Sequence, residues 1–209
     1  MSRIGRLHVI TDVHLQRRFS HLELAKAALE GGADVVQLRD KEASARELLE
    51  IALEILPLCR RKQAALIIND RADLAWAADA HGAHLGADDL PLPLARRFLG
   101  PDRIVGSSAD NAAEIALRAR EGADYVGIGP VFATTSKRDA GPVLGIEALS
   151  VLARSSPAPL IAIGGIGLDN LEEVLATGVN GVALLGAVCL SPDPESVVRK
   201  ARAILESRS

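Results

Sequence analysis

Eight short apolar runs recur along the chain: RLHVITD, DVVQLRD, ALIIND, GAHLGA, RIVGSSA, DYVGIGPVF, PLIAIGG and GVALLGAV. Near-continuous runs of Val, Ile and Leu are what a parallel sheet covered on both faces requires, since neither face of such a strand meets water. Between them lie segments such as SHLELAKAALEGGA, SARELLEIALEILPLCRRKQ and DNAAEIALRAREGA, with apolar residues at i, i+3, i+4 and i+7 opposite charged positions. GADVVQL, GADYVGI and GVNGVALL repeat one helix-stop, turn and strand pattern.

Strand and helix alternating eight times without a long linker leave two architectures, a closed (β/α)₈ barrel or an open doubly wound sheet. The closed TIM barrel is the expectation, as a single domain over residues 1–209. Such barrels typically run to about 250 residues. This one would be compact, with short loops.

The formal net charge is −3 and the basic residues are scattered, which argues against nucleic acid or an anionic membrane surface as partner. Cys59 and Cys189 make neither a disulfide framework nor a thiolate metal site. MSRIGRLHVITD lacks the apolar core of a signal peptide, and no run approaches the roughly 18 residues of a membrane span. A soluble, cytoplasmic protein is expected.

In a barrel of this kind chemistry collects where the strands finish, because the βα loops open on one face. The polar residues gather there too. The second run ends in Gln37, Leu38, Arg39, Asp40 and Lys41, the third in Asn69 and Asp70, and the fourth leads to Asp88 and Asp89. The fifth supplies Ser107, Ser108 and Asp110, the sixth Thr134, Thr135, Ser136 and Lys137, the seventh Gly164 and Gly165, and the eighth Leu185 and Gly186.

Arg39, Lys41 and Lys137 bring three cations toward one mouth, an arrangement suited to phosphate oxygens. The bland alternative pairs Arg39 and Lys41 with Asp40 and Glu42. Glycines after the seventh and eighth runs let a phosphate approach backbone N–H groups, although tight βα turns use glycine anyway. Asp70 and Asp88 or Asp89, on adjacent strands, would resist joint ionisation unless a cation sits between them, and Mg²⁺ accepts one or two carboxylates with phosphate and water. Here the alternative is helix capping. His84 could face the mouth or the interior, a satisfied structural role being the simpler reading.

In the order QLRDK, INDRADLA, HLGADDL, GSSADN, DYVGIGPVFATTSK, IAIGGI and GVALLGAV, the chain resembles the thiamine-phosphate synthase family over nearly its whole length. The resemblance implies condensation of 4-amino-5-hydroxymethyl-2-methylpyrimidine diphosphate with a thiazole phosphate, or its 2-carboxy form, releasing pyrophosphate. It places the pyrimidine diphosphate on residues 37–41, with Gln37 on the ring and Arg39 and Lys41 on the diphosphate. Asn69 and Ser108 contact the same substrate, and Asp70 and Asp89 bind Mg²⁺. Thr134, Thr135 and Ser136 hold the thiazole phosphate with Gly165, Leu185 and Gly186, while Lys137 reaches the diphosphate. Arg39, Lys41 and Lys137 are thereby implied to be catalytic, neutralising the leaving group.

Departures from the family pattern are Asp40 for Glu, Ser136 for Thr, Asp110 for a frequent His, Ala87 for Gln and Gly186 for Ser. Two rival functions follow. One is a thiazole tautomerase of the same family, whose active-site His would fall at Asp110. The other is an idle phosphate-ligand binder. The partners expected are small-molecule substrates, with monomer and homodimer both left open.

Overall fold

The structure, a computed structural model, describes residues 4–136 and 141–208. The eight apolar runs form the parallel strands β1 (Leu7–Thr11), β2 (Val35–Leu38), β3 (Ala65–Asn69), β4 (Gly82–Leu85), β5 (Ile104–Ala109), β6 (Tyr125–Ile128), β7 (Leu160–Ile163) and β8 (Gly181–Leu184). Each pairs with the next, and β8 closes on β1 through Leu7 with Val182 and Val9 with Leu184. The closed barrel is therefore the fold, and the open sheet is ruled out.

Helices α1 (His21–Glu30), α2 (Ala45–Lys62), α3 (Ala72–Ala77), α4 (Leu92–Leu99), α5 (Ala112–Arg120), α6 (Gly145–Ser155), α7 (Leu171–Ala176), α8 (Gly186–Cys189) and α9 (Pro194–Glu206) follow the strands. Ser20 and Ser44 open α1 and α2 with capping boxes completed by Glu23 and Glu47, satisfying backbone donors that a helix start leaves unpaired. Asn111 and Asp193 cap α5 and α9 through their side chains.

Alternation along the strands sorts two cores. Val9, Val36, Leu38, Ile68, Leu85, Val126 and Val182 point outward under the helices. Ile10, Val35, Ile67, Ile104, Tyr125, Ile161 and Ala183 fill the barrel. Tyr125 occupies the interior because β5 presents glycine opposite: a Cβ on Gly106 would lie 2.1 Å from Tyr125 Cζ.

At the N-terminal ends of the strands lies a broad open cleft of about 1400 Å³. Its cations are already committed. Arg60 and Arg103 pair with Asp79 at 2.6 and 2.8 Å, and Arg202 pairs with Asp34 at 2.6 Å. Asp34 also accepts the backbone N–H groups of Arg6 and Leu7 at 2.8 and 2.9 Å. This end is a structural lock, so the functional site is sought at the opposite end.

Candidate active site

At the C-terminal ends of the strands, Lys41 Nζ lies 3.8 Å from Asp70 Oδ2, bridging the loops after β2 and β3. Asp70 holds a left-handed backbone, φ 63°, and its N–H donates to the His84 carbonyl at 2.8 Å. That conformation suits Asp better than most residues and turns the carboxylate toward the mouth. Its pKa is shifted up by burial first, then by the charge of Asp89 and a hydrogen bond with that carboxylate, while Lys41 and Arg39 oppose the shift. Arg39, Lys41, Asp70 and Asp89 thus share one electrostatic neighbourhood.

Asp89 is fixed from behind by the Gly86 N–H, which donates to its Oδ2 at 2.6 Å. Neither aspartate caps a helix. The residues at the starts of α3 and α4 are Arg71 and Pro91, with no side-chain cap at either. Two acids brought within hydrogen-bonding reach need a shared proton or a cation between them, and a pair of carboxylates open to phosphate oxygens and water suits Mg²⁺. Among the described residues, no group of three or more His, Cys, Asp or Glu gathers as a metal cluster.

Arg39 and Lys41 do not pair with Asp40 and Glu42. The Arg39 guanidinium forms an ion pair with Asp12, the residue after β1. Asp40 turns the other way, accepting from His14 Nε2 at 2.7 Å, His21 Nε2 at 3.2 Å and the N–H groups of Glu42 and Ala43 at 2.9 and 3.0 Å. Burial alone would raise its pKa, but these four donors outweigh burial and hold the carboxyl well below the usual range. Leu38 is fully buried beneath the helices, so only its backbone is available to a ligand.

Inside the mouth, His84 is satisfied on both ring nitrogens. Nδ1 lies 3.0 Å from the Tyr125 hydroxyl and Nε2 3.0 Å from Ser108 Oγ. Gln37 also bonds the Tyr125 hydroxyl, whose pKa burial drives up. A Cβ on Gly127 would approach His84 Cε1 to 3.3 Å, so glycine gives the imidazole its place. Gln37, Tyr125, His84 and Ser108 form one polar column from β2 across the barrel to β5. Asn69 lies beside it, register-paired with His84.

The loops after β6, β7 and β8 meet on the facing side. Gly164 and Gly165 adopt positive φ, and a Cβ on Gly165 would lie 2.7 Å from both the Ala133 carbonyl and Phe132 Cβ. A Cβ on Gly186 would sit 3.0 Å from Ser136 Oγ, which places the 134–136 segment directly against the start of α8. The Ser136 N–H donates to Thr134 Oγ1 at 3.2 Å, and Thr135 is exposed. Leu185 is half-buried at the end of β8. Lys137 lies outside the described residues.

Reasoning from strand ends overlooked the first strand. Asp12, His14 and Tyr125 enter the site through Arg39, Asp40 and His84, and the signal for Asp12 was its position directly after VIT.

Residues 7–188 match a family model described as thiamine monophosphate synthase. A thiamine-phosphate synthase of Chloroflexus aurantiacus is 44% identical over 200 residues, spanning 96% of this chain and 92% of that protein. One from Salinibacter ruber is 45% identical over 203 residues, covering 97% and 89%. The solved structure of a thiamine phosphate pyrophosphorylase from Pyrococcus furiosus superposes with TM-score 0.87 at 39% identity, covering 97% of this chain and 96% of the other. A match spanning the barrel from its first strand to the helix after its last, together with full-length relatives above 40% identity, makes this chain a member of the thiamine monophosphate synthase family.

Proposed function

We propose that the protein is a transferase that joins the pyrimidine diphosphate to the thiazole phosphate, giving thiamine phosphate and pyrophosphate. The observation that carries this reading is the convergence of Arg39 and Lys41 with Asp70 and Asp89 at one end of the barrel. Family membership and the full-length relatives point to the same reaction.

The chemistry needed is departure of a diphosphate, which becomes a competent leaving group only when its growing charge is neutralised. Arg39 offers a fork for two phosphate oxygens and Lys41 a mobile point charge. Asp70 and Asp89 would hold Mg²⁺, which supplies further neutralisation of the diphosphate when bound. Gln37, fixed on Tyr125, orients the pyrimidine ring, with Asn69 and Ser108 beside it. Thr134, Thr135 and Ser136, with Gly165, Leu185 and Gly186, set the thiazole phosphate so that its ring nitrogen faces the methylene carbon that the diphosphate leaves. Lys137 is proposed to complete the charge around the diphosphate. No protein nucleophile is required, and positioning supplies much of the acceleration.

The deciding experiment incubates the protein with both substrates and Mg²⁺ and reads thiamine phosphate by oxidation to its fluorescent thiochrome derivative. Pyrophosphate release that requires both substrates supports the synthase. Isomerisation of the thiazole phosphate without the diphosphate would replace that reading with the tautomerase.

A reducing, cytoplasmic setting is proposed on the free, buried thiols of Cys59 and Cys189, which burial pushes up to about 12 and about 11. No helix among the described residues is long and apolar enough to cross a membrane. A homodimer is proposed on one outer face. Trp76 of α3 and Leu94 and Phe98 of α4 are 58, 51 and 47% exposed, and the two aromatic ring centroids lie 5.9 Å apart. Contiguous apolar surface of this kind marks association sites.

A further inference from the structure

We propose that His14 and His21 are positioning residues that hold Asp40 away from its two cationic neighbours, so that Asp40 does not compete with the diphosphate for Arg39 and Lys41. The inference rests on the reading of Arg39 and Lys41 as diphosphate ligands.

Asp40 sits between Arg39 and Lys41 in the chain, where an unoccupied carboxylate would be the nearest competitor for both cations. Charge-assisted pairs between such neighbours would have to be broken before a phosphate could bind. The structure takes Asp40 out of that competition, and Arg39 and Lys41 pair instead with Asp12 and Asp70. Asp40 Oδ1 accepts from His14 Nε2 and from the Glu42 and Ala43 N–H groups at 2.7, 2.9 and 3.0 Å, and Oδ2 accepts from His21 Nε2 at 3.2 Å. The carboxylate is 7% exposed, so water does not substitute for these donors.

His21 is oriented in turn. Its Nδ1 lies 2.8 Å from Thr11 Oγ1, which fixes the ring with Nε2 facing Asp40. At 4% exposure it is locked against β1. His14 enters from the turn after β1, where its own N–H donates to Asp12 Oδ1 at 2.9 Å. The other oxygen of Asp12 carries the ion pair with Arg39. One short segment, Asp12 to His14, therefore grips both the side chain of Arg39 and the carboxylate of the next residue. Lys41, with Asp40 withdrawn, is left to Asp70 at 3.8 Å. Both imidazoles act through Asp40, which makes them positioning rather than catalytic.

The test compares His14→Ala, His21→Ala and the corresponding glutamine variants, since a glutamine amide can donate from about where Nε2 stands. Steady-state kinetics with Mg²⁺ should show the KM for the pyrimidine diphosphate rising about tenfold in the alanine variants, the effect of one charge-assisted hydrogen bond. The KM for the thiazole phosphate should stay put. His14→Gln should recover most of the loss, and His14→Ala should add little to Asp40→Asn. His14 lies at the surface and tolerates truncation even if His21→Ala fails to fold. An unchanged diphosphate KM in His14→Ala, or equal rises in both KM values, overturns the proposal. Calorimetric titration of Arg39→Ala and Lys41→Ala with Mg²⁺ and inorganic pyrophosphate separates the two levels. Weakened binding there with intact binding in the histidine-to-alanine variants sinks only the positioning role, whereas intact binding in Arg39→Ala and Lys41→Ala as well sinks the diphosphate site itself.

Discussion

Asp70 and Asp89 stand on different βα loops, yet their carboxyl groups lie within hydrogen-bonding reach, and the charge of Asp89 raises the cost of ionising Asp70. One backbone holds Asp70 at φ 63°, and a tight turn at Gly86 holds Asp89. Both constraints are set before any ligand arrives, as expected of a preorganised cation site.

Asp70→Asn and Asp89→Asn should therefore each lower Mg²⁺-dependent turnover by about 10²–10³, the range for loss of one preorganised electrostatic partner. Asparagine is chosen because it also tolerates the left-handed backbone at position 70. Circular dichroism and thermal melts should match the parent protein. Full turnover in either variant would remove that aspartate from the metal site.

The barrel itself was readable because each strand is apolar on both faces and each helix is apolar on one, so period and length agree at every element. The rim was readable for the same reason: once strand ends are located, Arg39, Asp70, Asp89 and Ser108 fall on one face. What the linear pattern does not carry is the choice of partner. Arg39 had Asp40 adjacent and Asp12 27 residues away, and closure of β1 on β2 decides for Asp12. Likewise His84 reads as a lone strand histidine until Tyr125, 41 residues on, reaches it across the barrel through space left by Gly106.

Gly106 tests that packing. An alanine methyl there would lie 2.1 Å from Tyr125 Cζ and 2.5 Å from its hydroxyl oxygen, inside the filled barrel. Gly106→Ala should cost about 3 kcal/mol, the upper end for an inserted core methyl, read as a lower urea midpoint. Gly141→Ala, whose added Cβ meets nothing within 4 Å, should shift stability by no more than about 0.5 kcal/mol. Equal effects in the two variants would mean that Tyr125 yields easily.

His8 gives the fold a pH dependence of known sign. The ring is buried against Tyr125 with its Nε2 3.0 Å from the Gly5 carbonyl, and burial pushes its pKa from 6.5 down to about 4 despite the raising effects of that bond and of Asp34. The unfolded chain therefore binds the extra proton first. Stability from this group is complete above pH 6.5 and is lost as pH falls toward 4. Urea unfolding at pH 7 and pH 5 should differ by about 2 kcal/mol on this account. His8→Gln, which keeps a neutral donor, should flatten the slope, though His21 and His81, also shifted down by burial, leave a remainder. A slope unchanged in His8→Gln would show that the imidazole ionises in place.

Trp76 reports on association directly, because it is the sole tryptophan and lies on the face proposed to pair. In a dimer its 58% exposed ring becomes covered, so emission should shift to the blue and iodide quenching should fall as protein concentration rises. Sedimentation over the same range should move from 22.0 kDa toward twice that mass. Trp76→Glu, which sets a carboxylate against Phe98 and its partner copy, should hold the protein monomeric at every concentration while leaving turnover intact, since α3 presents this residue on the outer wall and away from the mouth. A parent protein that stays at 22.0 kDa with fully quenchable Trp76, or a Trp76→Glu variant that still dimerises, would exclude this face as the contact.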